Sequence, residues 1–283
     1  MTANQIEFVR IVGNERRAGA TLQSVSRHWQ SGKECFLFIS PHDDDAVLGS
    51  GLFMQIAQLE KTPVHILIVT DGAMGYCSKD EKSIISDIRR KETFACYQSL
   101  GIPKENITWL GFPDCQLNSY TGRRPAEAND KTQIEGFTGL QNAFTHHLRR
   151  IRPSQCFLPT SGDLHPDHVI VHSELLISLF HATGSIWPEL GTPLEKPPYV
   201  HEFGVYCDFP EPPSFRIRTP QEYLDKKLNA ITAFKSQRQI SSLIDIVRRS
   251  GSEEYLRELH FKLYQPTAYR DRFEKKDSIP YLR

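Results

Sequence analysis

Two short runs carry most of the chemistry legible in this chain: His42-Asp43-Asp44-Asp45 and His165-Pro166-Asp167-His168. Imidazole and carboxylate together suit a divalent cation, and a catalytic zinc site takes three such ligands and keeps one position for water. His42 and Asp45, three apart where a helix begins, can turn towards one ion, and His168 at a second helix start would complete a His₂Asp set. Asp44 beside the ion can take a proton from water as general base. His165 can stabilise an oxyanion, and Asp167 can hold His165 in orientation. Spacing alone leaves open which of the three consecutive aspartates binds the ion.

Such loops need a sheet edge to hold them. Phe36–Ser40 is an unbroken apolar run that suits a strand buried on both faces, and Val64–Thr70 is another. A helix packed through its glycines runs between them to about Glu60, so the unit reads as βαβ with parallel strands. Thr70-Asp71-Gly72 then emerges on the same edge as His42. Further on come an amphipathic helix over Ser83–Leu100, a strand over Ile107–Leu110 ending in Phe112-Pro113-Asp114, and a polar loop from Asn118 to Gly136. A helix over Gly139–Ile151 leads to a strand at Gln155–Pro159, and the second His/Asp loop opens a helix over Val169–Phe180. The pattern predicts an α/β fold with a mostly parallel sheet, helices on both faces and an irregular C-terminal region. Weaker signals place an edge strand at Ile6–Val12, a short helix at Ser24–Gln30, a strand at Tyr199–Cys207 and late helices at Pro220–Gln237 and Ser241–Tyr264. No linker or repeat divides the chain, so one domain over residues 1–283 is expected, with a motif-bearing core at about 34–182.

Composition narrows the partners. The 283 residues hold 34 Lys plus Arg and 34 Asp plus Glu, a net charge of zero, which removes the electrostatic argument for nucleic acid. No apolar stretch is long enough to span a bilayer or to act as a signal peptide. Six scattered cysteines without a CxxC pair read as free thiols, which makes a reducing cytoplasm the expected compartment. Oligomeric state is open, a homo-oligomer included.

In His42–Asp45 after a strand, Thr70-Asp71-Gly72, Arg89-x-x-Glu92 and His165–His168, the chain resembles the LmbE/PIG-L-like zinc-dependent N-acetylglucosamine deacetylases. The likeness covers roughly Phe36 to Leu176, with weaker echoes at His201-Glu202-Phe203 and Lys235-Ser236-Gln237. It implies a Rossmann-like sheet and one Zn²⁺ per chain, held by His42, Asp45 and His168. It implies Asp44 as general base and His165 as electrostatic catalyst supported by Asp167. Arg89 would contact the substrate, a small N-acetylated amino sugar or conjugate, and Asp114 is a further substrate contact. A water activated at the ion would attack the amide carbonyl. Two positions depart from the usual His-Pro-Asp-Asp-Glu pattern: Asp43 stands for the proline and Ala46 for the glutamate.

Plainer readings stand beside these. The Asp run could cap a helix, though capping does not explain a second His/Asp loop at the same edge. Arg89 could be one of three basic residues on an exposed helix face. Asp71 either caps a turn with Gly72 or meets the substrate. His172 reads as a packed or surface histidine, and His146-His147 with Arg149, Arg150 and Arg152 as a solvated helix end. A metal-dependent phosphoesterase would need two ions and more ligands. A carbohydrate-binding pseudoenzyme would keep the fold without turnover.

Overall fold

The computed structural model describes residues 5–26, 29, 32–259, 264 and 266–274. In chain order the strands are β1 (Glu7–Val12), β2 (Glu15–Gly19), β3 (Phe36–Ser40), β4 (Val64–Thr70), β5 (Ile107–Phe112), β6 (Arg124–Pro125), β7 (Phe137–Thr138), β8 (Gln155–Pro159), β9 (Tyr199–Phe203), β10 (Phe215–Arg218) and β11 (Glu253–Leu259). The helices are α1 (Leu22–Val25), α2 (Asp45–Leu59), α3 (Ile85–Ser99), α4 (Leu140–Ile151), α5 (Pro166–Thr183), α6 (Gln221–Ile231), α7 (Ile240–Ser250) and α8 (Pro266–Glu274). Part of the helix expected at Ser24–Gln30 lies outside the described residues.

One nine-stranded sheet runs in the order β2-β1-β10-β11-β9-β8-β3-β4-β5, with β6 and β7 as a separate ribbon. From β9 to β5 every neighbour is parallel; from β9 outward to β2 every neighbour is antiparallel. The fold is therefore α/β with a Rossmann-like parallel half and a C-terminal region that extends the sheet. Ile6–Val12, expected at the edge, is covered by β2. The helix expected over 241–264 ends at Ser250, because Gly251 adopts φ 72°, and β11 follows, pairing Leu256 with Phe203.

Alternation in the parallel strands sorts side chains to two cores. Phe36, Phe38, Ile66, Ile68 and Phe157 pack with α2, α3, α6 and α7, whereas Leu37, Ile39, Leu67, Val69 and Leu158 pack with α4 and α5. Burying each such side chain contributes about 1.5–3 kcal/mol. Gly49 lets α2 approach β9: a Cβ there would lie 2.3 Å from the Phe203 ring.

The helix that begins at Asp45 is broken. Ser50 leaves helical geometry (φ −143°, ψ 21°), which frees backbone groups on either side. Glu254 accepts from the Leu52 and Phe53 amides at 2.8 and 2.9 Å. Lys227 Nζ donates to the Leu48 carbonyl at 2.6 Å and to Glu254 at 2.7 Å. A buried ion pair from α6 and β11 thus replaces the missing helical bonds, as buried backbone groups require.

Candidate metal centre

The chain leaves β3 for β4 and β5 on one side and returns to β8 and β9 on the other. The reversal opens a crevice between β3 and β8, where α/β sheets keep their ligands. Both His/Asp loops end at that crevice. Ser40, the last residue of β3, donates to the His42 carbonyl and accepts from the Ala46 amide at 3.0 Å, so it shapes the turn into α2. Asp44, at the cap position, makes no side-chain capping bond, which leaves its carboxylate for other work.

His42, Asp45 and His168 meet. His42 Nδ1 lies 3.2 Å from Asp45 Oδ2, His168 Nε2 lies 3.1 Å from the same oxygen, and the two nitrogens are 3.3 Å apart. Three corners of a tetrahedral zinc shell with bonds of ~2.0–2.1 Å are separated by about 3.3 Å. Tautomers follow from the outer partners. His42 Nε2 faces Asp114 Oδ1 at 3.3 Å and Asp167 Oδ2 at 3.4 Å, so it carries the proton. His168 Nδ1 lies 3.0 Å from Asp163 Oδ2, a charge contact outside hydrogen-bond alignment that favours a proton on the same nitrogen. In the neutral rings, the nitrogens turned towards Asp45 then hold bare lone pairs aimed at one point. Asp45 Oδ1 is buried and has no hydrogen-bond partner among the described residues.

The residues fit a divalent cation. Asp43, Asp44, Asp45, Asp114, Asp163 and Asp167 are each no more than 4 % exposed. The permanent cation within the group, Arg89, is committed to Asp43. Burying that many carboxylates without compensating charge is costly. Protons show the same demand. Burial pulls His42 and His168 down, yet the Asp45 carboxylate and the other acids outweigh it, raising His42 well above its ordinary value and His168 to about 9. A metal would displace those protons. Two other groupings share these residues in part: His165 joins His42 and His168, and Asp114 and Asp167 join His42, with their ligand atoms within 4.8 Å of one another in each. The second is already spent on the His42 Nε2 proton and on the Met74 and Cys115 amides.

Asp44 is pushed up to about 7, by burial first and then by Asp45 and Asp43, with Arg89 and His42 opposing. His165 caps α5: its Nδ1 accepts from the Asp167 amide at 3.3 Å, which puts the ring proton on Nε2. Burial and the neighbouring His42 and His168 lower it, so it is a neutral N–H donor, with its ring 4.7 Å from His42 and 5.0 Å from His168.

The remaining sequence-predicted residues lie as follows. The Asp167 carboxylate faces His42 and the Cys115 amide, and its link to His165 is through the backbone. Asp114 also faces His42; burial raises it, and that contact together with the Met74 amide and Arg89 overcomes this to hold it at about 2. Asp71 accepts from the Ala73 and Asp114 amides at 3.0 and 3.2 Å and so caps the turn while joining two strand ends. Arg89 is buried, not part of an exposed face. His172 is buried with its Nε2 2.7 Å from Glu202 Oε1. Two residues had no assigned role in the sequence: Asp163, visible only as a carboxylate in the Thr160–Leu164 turn, and Tyr206, half-exposed, whose ring lies 5.4 Å from His168. Tyr206 follows β9, which ends at the same edge as β8.

Residues 37–178 match the family described as PIG-L, GlcNAc-PI de-N-acetylase. The chain belongs to this family. No curated relative matches it. Among solved structures, this PIG-L family member is similar to the N,N'-diacetylchitobiose deacetylase of Pyrococcus horikoshii, with 21 % identity, TM-score 0.65, and 83 % of this chain and 88 % of that one covered. It is similar to the 4-carboxy-2-hydroxymuconate hydratase GalB of Pseudomonas putida at 15 % identity, TM-score 0.62, with coverage of 82 % and 98 %. A zinc-inhibited form of the teicoplanin deacetylase Orf2 matches at 17 % identity, TM-score 0.52, with coverage of 81 % and 100 %. At these identities the likeness is one of fold. No helix among the described residues is long and apolar enough to cross a membrane.

Proposed function

We propose that this chain is a zinc-dependent hydrolase that removes the N-acetyl group from an N-acetylated amino sugar or sugar conjugate, as a single domain in the cytoplasm with one ion per chain. The observation that carries the reading is the convergence of His42 Nδ1, His168 Nε2 and Asp45 Oδ2 on one point, 3.1 to 3.3 Å apart. A divalent ion held there would polarise the acyl carbonyl and acidify a water molecule. Asp44, buried beside the ligands, accepts the proton of the attacking water and returns it to the departing amine. His165 Nε2–H donates to the carbonyl oxygen as negative charge grows on it. Asp114 and Asp167 hold His42, Asp163 holds His168, and Arg89 and Asp71 stay at the rim of the chemistry.

The family description supports an amide-cleaving reaction on a sugar, and two structural neighbours are named as deacetylases. A hydratase on the same fold shows that the fold alone does not choose the reaction. All six cysteines are free, which suits a reducing compartment. Acetate release from a panel including N-acetylglucosamine, N,N'-diacetylchitobiose and their conjugates tests the reading. The metal should be titrated through and beyond one equivalent, then removed with chelator, since one neighbour is a zinc-inhibited form. Release that peaks near one zinc per chain supports the proposal. Metal binding with no acetate from any substrate points to a pseudoenzyme, and two ions per chain to a phosphoesterase.

A further inference from the structure

Arg89 is enclosed rather than presented to a ligand. It projects from α3 with Nε 3.1 Å from Asp43 Oδ2 and Nη2 paired to Asp43 Oδ1, while Nη1 donates to the Gly72 carbonyl at 3.3 Å. The backbone of the 72–75 turn lies over the guanidinium so closely that a Cβ on Gly75 would be 2.1 Å from Nη1. Thr93 Oγ1 lies 3.2 Å from the same Asp43 carboxylate, its one proton shared with the Arg89 carbonyl at 2.7 Å, and Tyr97 OH donates to the Asp43 carbonyl at 3.0 Å. Arg89, Thr93 and Tyr97 follow one another at helical spacing, so one stripe of α3 grips a single residue from both its side chain and its backbone. One turn along, Glu92 accepts from the Ser236 amide and hydroxyl at 2.9 and 2.7 Å, which ties a second segment to the same helix.

We infer that Arg89 is a positioning residue: paired with Asp43, it fixes the peptide from which Asp44 and Asp45 project, and it does not contact the substrate. The inference rests on the proposed function for its kinetic meaning, because Asp44 is the base in that reading. Asp43 has neighbours on both sides in the chain that face the metal centre, so a shift in its backbone moves both. A bidentate fork fixes angle as well as distance, which an ammonium cannot do.

The test is a cycle of Asp43→Asn, Arg89→Met and the double variant, with Arg89→Lys as the milder change. Thermal unfolding midpoint, zinc affinity by chelator competition, and kcat and KM for an accepted substrate are measured on each zinc-loaded protein below its midpoint. Both single variants should lower kcat by about tenfold or more with KM within about threefold, as for groups that set geometry rather than bind substrate. The double variant should be no worse than the poorer single one, and Arg89→Lys should lose turnover despite keeping the charge. Arg89→Met raising KM at unchanged kcat, with Asp43→Asn near wild type, would make Arg89 a substrate contact and overturn the inference. Lowered midpoints with kcat intact would reduce the pair to fold stability and overturn it too. If no substrate is ever turned over, additive midpoints and additive zinc affinities in the double variant would still refute the coupling, so the two proposals fail separately.

Discussion

Asp163 Oδ2 sits 3.0 Å from His168 Nδ1 while its other oxygen accepts from the His165 amide at 3.0 Å. The carboxylate is thus aimed by the backbone of one motif histidine at the ring of the other. Burial raises Asp163, and the His168 contact together with the His165 and Tyr206 backbone more than offsets this and holds it below the ordinary carboxylate range. Removing it frees the imidazole to rotate or to carry its proton on the wrong nitrogen. Asp163→Ala should therefore weaken zinc binding by ~10–100-fold, the usual loss for such a partner. Chelator competition gives the number, and an unchanged affinity would show that His168 is fixed by other contacts.

His42→Ala and His168→Ala each delete one of the converging lone pairs and should abolish stoichiometric zinc binding. Asp44→Asn should keep the ion and lose turnover by ~10²–10⁴-fold, because only proton transfer is removed. Metal analysis and acetate release on the same samples separate the two classes. An Asp44→Asn protein with near wild-type kcat would remove Asp44 from the mechanism.

Arg149, expected at a solvated helix end, is buried, and its five N–H groups serve the carbonyls of His181, Ala182, Gly184, Ile186, Trp187 and Gly191 at 2.7 to 3.3 Å, with Nη2 sharing its two among His181, Gly184 and Ile186. His147, on the same helix, is likewise buried, and burial first, then His146 and Arg150, holds it at about 4. Lys offers three donors without the planar fork, so Arg149→Lys leaves several of these carbonyls, part-buried apart from that of Ala182, without their partner. A loss of about 1–3 kcal/mol is expected, the cost of about one buried unsatisfied group. Urea unfolding measures it. A midpoint shift smaller than that of an exposed control, Arg248→Lys, would mean that the 181–191 turn does not depend on Arg149.

Glu202 provides the pH handle. Burial raises it, but hydrogen bonds from His172 and Arg257 hold it at about 2, against 4.5 for the free group. Its folded-state value is depressed, so the unfolded chain binds more protons between those two values. The contribution is full above the unfolded value and is lost as pH falls towards 2. The stability gap between wild type and Glu202→Gln should be constant above about pH 5.5 and shrink below about pH 4.5. Urea midpoints across that range check it; a gap that widens on acidification would reverse the sign.

The parallel half of the sheet was readable because strands buried on both faces are written as unbroken apolar runs, as in Phe36–Ser40 and Val64–Thr70. The loops after β3 and β8 were readable because His and Asp are costly at a buried sheet edge. The antiparallel half was not. Glu253-Glu-Tyr-Leu-Arg-Glu-Leu259 is rich in helix formers, and its strand alternation is masked because Glu254 points inward to cap the break in α2. The carboxylates at 114 and 167 could be picked out as site residues, but their orientation towards His42 depends on three strand ends meeting, which no local spacing encodes. Asp43 was visible as a departure from the family pattern and Arg89 as part of a motif; their pairing, 46 residues apart in the chain, was not.

The break at Ser50 makes α2 depend on residues that come much later in the sequence. A fragment stopping after the second His/Asp loop would hold every candidate ligand, yet it would leave the Leu48 carbonyl and the Leu52 and Phe53 amides facing an apolar interior. Glu254, 202 residues from Leu52, finishes the helix that Asp45 starts. The segment that looks like an appendage is thus part of the support beneath the first His/Asp loop, and a nascent chain cannot complete α2 until Lys227 and Glu254 have emerged.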